Sequence, residues 1–134
     1  MKALNIILVD DNTAFRKALK MLLEKHYHAK IIAEASSAEE YLKLEIETNI
    51  DLIFMDIMMP EIDGIELTKK ILWINNSLKI IAITMHNDRV YLQTLIEAGF
   101  VGCIFKNTLF TELPLAIKTI VEGKRYFPKN ITIE

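Results

Sequence analysis

Three carboxylates, one hydroxyl and one ammonium stand at strand-like boundaries in this chain. Asp10 and Asp11 close one apolar run, Asp56 a second, Thr84 a third and Lys106 a fourth. Closely spaced carboxylates repel one another and raise one another's pKa, and a hard divalent cation is the natural resolution of that conflict. A lysine and a threonine at neighbouring strand ends would add a fixed positive charge and a hydroxyl to the same crevice.

The elements that would bring these residues together are legible as alternating patterns. LNIILV (4–9), DLIFM (51–55), KIIAIT (79–84) and VGCIF (101–105) are short runs rich in branched or aromatic residues, and each precedes a segment of helical period. Residues 30–35 supply a further strand. Phe15, Leu19, Leu22 and Leu23 form the apolar stripe of a first helix, capped by Asn12 or Thr13 and ending near His26. Ser36 to Glu40 carries a capping-box pattern, opening a second helix expected to reach Thr48. A third helix is expected from Asp63-Gly64 to about Asn75, with Trp73 covering the core. A fourth, capped by His86 to Asp88 and carrying Val90, Leu92, Leu95 and Ile96, stops at Ala98-Gly99. The fifth is expected from about Thr111 to Glu122, with Pro114 in its first turn. Five strand–helix units predict a parallel α/β sheet with helices on both faces, whose strand carboxyl ends share one edge where ligands bind.

Composition narrows the classes. At 134 residues and 51% hydrophobic, the chain suits one domain, read here as residues 1–122, with 123–134 a tail closer to a linker than to core. A net charge of −2 without a dense Lys/Arg run excludes a nucleic-acid footprint on this domain. No apolar stretch approaches the roughly 20 residues that span a bilayer. Cys103 has no cysteine to pair with, and Met1-Lys2 leads directly into a strand, so a cytoplasmic protein without membrane contact is expected. His26 and His28 fall too far from the acidic cluster to be ligands, and His86 is read as the start of a helix rather than part of the site.

The motifs Ile7-Leu8-Val9-Asp10-Asp11-Asn12, Asp56-Ile57-Met58-Met59-Pro60-Glu61-Ile62-Asp63-Gly64, Ile83-Thr84-Met85-His86 and Ala98-Gly99-Phe100-Val101-Gly102-Cys103-Ile104-Phe105-Lys106 occur in order. Together they resemble the receiver domain of two-component response regulators, over residues 4 to about 122. The resemblance implies a flavodoxin-like, doubly wound five-stranded parallel sheet of order 2-1-3-4-5. It implies that Asp56 accepts a phosphoryl group from a sensor histidine kinase in an Mg²⁺-dependent reaction. Asp11, Asp56 and the Met58 carbonyl would ligate the metal directly, and Asp10 would act largely through a metal-bound water. Lys106 would pair with a phosphoryl oxygen, and Thr84 would turn its hydroxyl to another as the switch. The protein would thus be no enzyme beyond its own phosphorylation and dephosphorylation.

The ending Ala116-Ile117-Lys118-Thr119-Ile120-Val121-Glu122-Gly123-Lys124-Arg125-Tyr126-Phe127-Pro128 resembles NarL/FixJ-type (LuxR-like) regulators. This implies transcriptional control through a C-terminal helix-turn-helix region absent from these residues, DNA binding only through that region, and homodimerisation on phosphorylation. The alternative is a stand-alone receiver acting by phosphorelay or protein contact. A metabolite phosphatase is disfavoured because Ile57, Met58 and Met59 follow Asp56 where a second general acid/base would be needed. An FMN module is disfavoured because an acidic crevice repels phosphate. Two departures from the family stand out. Cys103 replaces the aromatic residue usual three positions before the lysine, and Asn107 replaces the usual proline. Met58 cannot orient an attacking water, so a long-lived phosphorylated state is expected.

Overall fold

Five parallel strands carry the architecture, and their ends decide where the polar residues lie. The computed structural model describes residues 3–85, 91–129 and 131. Its strands are β1 (Leu4–Val9), β2 (Ala29–Ala35), β3 (Leu52–Asp56), β4 (Ile80–Thr84) and β5 (Gly102–Phe105), in the order β2-β1-β3-β4-β5. All four pairings are parallel. The helices are α1 (Thr13–His26), α2 (Ala38–Leu42), α3 (Gly64–Ile74), α4 (Leu92–Ala98) and α5 (Leu109–Val121), with a 3₁₀ turn at Lys106–Thr108 leading into the last.

Residue alternation divides the interior into two cores. Ile6, Leu8, Leu52, Phe54, Ile81, Ile83 and Ile104 pack with Leu19 and Leu23 of α1 and with Leu113, Ala116, Ile117 and Ile120 of α5. Their strand neighbours Ile7, Val9, Ile53, Met55, Ile80, Ala82, Cys103 and Phe105 turn the other way, against Leu67 and Ile71 of α3 and Leu95 and Ala98 of α4. Burial on both faces is why these strands read as continuous apolar runs, the expected signature of a covered parallel sheet.

Helix starts follow local side-chain chemistry. Asn12 accepts the Phe15 amide, Ser37 accepts that of Glu40, and Asp63 accepts that of Glu66. At α2 the Glu40 carboxylate also takes the Ser36 amide, and this bond holds its pKa below the usual carboxylate range. α4 stops at Gly99, whose φ of 102° is the left-handed cap that glycine adopts without penalty. The cap read at His86 to Asp88, and Val90, lie outside the described residues.

Four sequence expectations are corrected. α2 ends at Leu42 rather than Thr48: Leu44 and Ile46, two residues apart and so on opposite sides of any helix, both pack on the core from a segment that is neither helix nor strand. Trp73 is 91% exposed, since the buried stripe of α3 is Gly64, Leu67, Thr68 and Ile71 and position 73 falls outside it. Pro114 is the sixth residue of α5, not in the first turn, so it removes an amide that would have served the Phe110 carbonyl. The segment after α5 is not linker-like in its described part. Tyr126 donates its amide to Val101 and accepts that of Cys103, adding a parallel bridge to the β5 edge, while Pro128 and Ile131 are buried. The Tyr126 hydroxyl donates to Glu112 of α5 at 2.7 Å, and Thr108 donates to the other oxygen of that carboxylate.

Candidate functional site

Parallel pairing aligns the strand ends that carry the polar residues. Val9 lies opposite Met55, Asp56 opposite Ile83, and Thr84 opposite Phe105. Asp10, Asp56, Thr84 and Lys106 therefore emerge along one edge, and Asp11 follows one residue out. Asp10, Asp56 and Thr84 are buried, and Asp11 is exposed. The crevice between them is lined by Asp11, Asn12, Phe15, Asp56, Met58 and Lys106, with a volume of about 470 Å³.

One oxygen from each of Asp10, Asp11 and Asp56 lies within 4.8 Å of the others. Lys106 Nζ stands 2.9 Å from Asp10 Oδ2 and 3.7 Å from Asp56 Oδ2, so the lysine is held by Asp10 rather than by Asp56. The Met58 amide donates to Asp56 Oδ1 at 3.1 Å, and the Met58 side chain is exposed. Burial, followed by the charge of Asp10, pushes the Asp56 carboxyl up to about 7; the Lys106 ammonium and the Met58 amide pull in the opposite direction, and the hydrogen bond with Asp11 adds to the rise. A carboxyl raised this far is one whose ionised form is poorly served by its buried surroundings even with a lysine nearby. Three hard oxygen ligands, two buried and one open to solvent, fit a small divalent cation with room for its waters.

Gly64 is required by the same construction. A Cβ at this position would fall 2.2 Å from the Asp56 carbonyl oxygen, so only glycine lets the start of α3 lie against the end of β3.

All the sequence-selected site residues, Asp10, Asp11, Asp56, Met58, Thr84 and Lys106, gather at this edge. His26 and His28 sit at the opposite end of the sheet, where the His28 carbonyl accepts the Leu4 amide. His86 lies outside the described residues. Two neighbours escaped the sequence reading as site residues. Phe15, read there as core stripe, lies with its ring centroid 4.4 Å from Lys106 Nζ. Arg16 donates from Nη1 to the Asp10 carbonyl and from Nε to Glu34 at 2.9 Å, tying the end of β1 to β2. A basic residue one turn into α1 was the available signal for Arg16; nothing in the linear pattern pairs Phe15 with Lys106.

Residues 6–118 match the response regulator receiver domain. The chain belongs to that family. This receiver is 32% identical over 128 residues to the response regulator UvrY of Escherichia coli K12, covering 96% of the chain and 59% of the relative. It is 30% identical to the response regulator GacA of Pseudomonas viridiflava, covering 96% and 60%. It thus spans about three-fifths of the length of these curated relatives. Among solved structures, a LuxR-family two-component response regulator from an Aurantimonas species superposes with a TM-score of 0.86 at 32% identity, covering 97% of this chain and 93% of that one. The isolated receiver domain of RcsB from Salmonella enterica serovar Typhimurium, in the presence of phosphomimetic BeF3−, gives 0.83 at 25% identity, covering 96% and 95%. A structure of two RcsB dimers bound to two parallel DNAs gives 0.84 at 25% identity, covering 96% and 65%. The receiver is thus of the kind found in NarL/LuxR-family regulators, a family phosphorylated by histidine kinases and binding Mg²⁺ at an acidic pocket.

Proposed function

We propose that Asp56 is the phosphoacceptor of this receiver and that Asp10, Asp11, Asp56 and the Met58 carbonyl hold Mg²⁺. The observation that carries the reading is the cluster of three carboxylate oxygens within 4.8 Å, with the Lys106 ammonium 2.9 Å from one of them and 3.7 Å from another. An Asp56 carboxylate oxygen attacks the phosphorus of a kinase phosphohistidine. The O–P bond forms as the P–N bond breaks, and the bonding pair returns to the imidazole nitrogen. Mg²⁺ held by these ligands would supply positive charge to offset that of the phosphoryl oxygens. Lys106 leaves Asp10 for a phosphoryl oxygen, and Thr84, at the neighbouring strand end, donates its hydroxyl to another.

The output of this switch is transcriptional control through a C-terminal helix-turn-helix region beyond these residues, with self-association on phosphorylation. The likeness to UvrY, GacA and RcsB supports that reading. Among the described residues no helix is long and apolar enough to cross a membrane, in keeping with an action in the cytoplasm.

Intact-protein mass spectrometry after incubation with acetyl phosphate and Mg²⁺ tests the site. One added phosphoryl group is expected, absent in Asp56→Asn and in EDTA. No adduct on the folded native chain would overturn the assignment. The adduct should persist for minutes or longer, because Met58 offers no group to activate a water; decay within seconds would refute that part.

A further inference from the structure

Four residues around the crevice close a circuit of contacts. The Asn12 amide donates to Asp10 Oδ1 at 2.8 Å, and the Phe15 amide donates to Asn12 Oδ1 at 3.0 Å. Lys106 Nζ lies over the Phe15 ring, 4.4 Å from its centroid, and 2.9 Å from Asp10 Oδ2. The bond that caps α1 thus also fixes the residue whose ring meets the lysine. The lysine side chain is only 13% exposed, so water competes weakly for its charge and the negative face of the ring attracts it appreciably. Its distance of 3.7 Å from Asp56 Oδ2 exceeds a hydrogen bond.

We infer that Phe15 is a positioning residue for the phosphoryl-transfer site, holding the Lys106 ammonium on the Asp10 side of the crevice so that the Asp56 oxygen stays open for attack. The inference rests on Asp56 being the phosphoacceptor. A leucine at position 15 fills similar space but has no π face. Among the described residues, the two carboxylates then hold the ammonium, which settles between Asp10 and Asp56 and engages the nucleophile before the phosphoryl donor arrives. The competing account makes Phe15 a packing residue alone, since its ring also lies against the core beneath α1 and α5.

Two readouts separate these accounts. Protons above an aromatic ring resonate upfield, so the Lys106 ε-methylene signals of the native chain and of Phe15→Tyr should be displaced upfield and those of Phe15→Leu should not. With acetyl phosphate and Mg²⁺, Phe15→Leu should phosphorylate about fivefold more slowly and Phe15→Tyr within about twofold of native, the loss expected from one partly desolvated cation–π contact. In a Lys106→Gln background the same Phe15→Leu change should alter the residual rate by less than about twofold, because the two residues act as one unit. A native rate in Phe15→Leu, a Tyr variant as slow as the Leu variant, or an undiminished loss in the Lys106→Gln background would each overturn the inference. If the native chain gains no phosphoryl group, the phosphoacceptor reading falls and the kinetic role with it, whereas the upfield shift decides the ring–ammonium contact by itself.

Discussion

The two ends of the sheet carry hollows of similar size and opposite chemistry. At the carboxyl edge, about 470 Å³ is framed by Asp11, Asp56 and Lys106 above the buried Asp10. At the amino edge, about 500 Å³ is framed by Leu4, His26, Tyr27, His28, Pro114 and Ile117. Volume does not distinguish them. The difference is what the backbone does at each end: on the carboxyl edge, buried strands deliver charged side chains directly into the crevice, whereas the amino edge is made of the turn between α1 and β2 and one side of α5. Charge held in a dry place by continuous strands is what makes one hollow chemical and leaves the other a surface depression.

The harshest way to break the comparison is Gly64→Ala. With a Cβ only 2.2 Å from the Asp56 carbonyl, the α3 start must shift, and a loss of about 3 kcal/mol or more is expected in urea unfolding, together with impaired phosphorylation. Unchanged stability would mean that the α3 start does not rest on β3 as described.

Asp56→Asn should act more gently and with a pH signature. The folded chain holds the Asp56 proton up to about 7, against a reference of 3.8, so between those values the folded state binds more protons than the unfolded one. Native stability therefore falls as pH rises through that window, and above it the ionised carboxylate is a net cost to the fold. The Asn variant should melt higher than native at pH 8, with the gap narrowing on acidification to pH 5. Millimolar Mg²⁺ should close the pH 8 gap by stabilising the native chain, leaving the variant nearly unmoved. A gap independent of pH would remove Asp56 as the strained acid.

The amino edge supplies the smallest effect. His28→Asn keeps a residue that tolerates the observed φ of 51° and leaves the carbonyl that accepts the Leu4 amide. Stability within about 0.5 kcal/mol of native and an unaltered phosphorylation rate are expected. A slowed rate would show that the two edges communicate.

Much of the carboxyl edge was legible because its residues obey a local rule: an acid, threonine or lysine directly after a run of branched apolar residues marks a strand end. Asp10, Asp56, Thr84 and Lys106 all follow it, and the strand order followed from the family resemblance. What stayed hidden depends on distance along the chain. Phe15 and Lys106 meet only after the sheet is assembled, and Tyr126 pairs with Val101 and Cys103 through backbone groups that leave no side-chain pattern. The overlong α2 was a different kind of miss. Leu44 and Ile46 both reach the core, and residues two apart in a helix point to opposite sides, a conflict that shows only once the burial of both is seen.

Cys103 gives the molecule a clock. It is the chain's one cysteine; it is fully buried, and burial, followed by the charge of Glu112, pushes its thiol up to about 12. A disulfide reagent in solution reacts with an exposed thiolate, so this sulfur becomes modifiable only when the structure around β5 opens. Its amide is bonded to the Tyr126 carbonyl, a rung by which the segment after α5 is joined to the sheet. The pace of thiol labelling therefore counts how often that edge comes apart, and comparing it before and after phosphorylation turns a chemically silent sulfur into a timer for how tightly the outgoing chain is held.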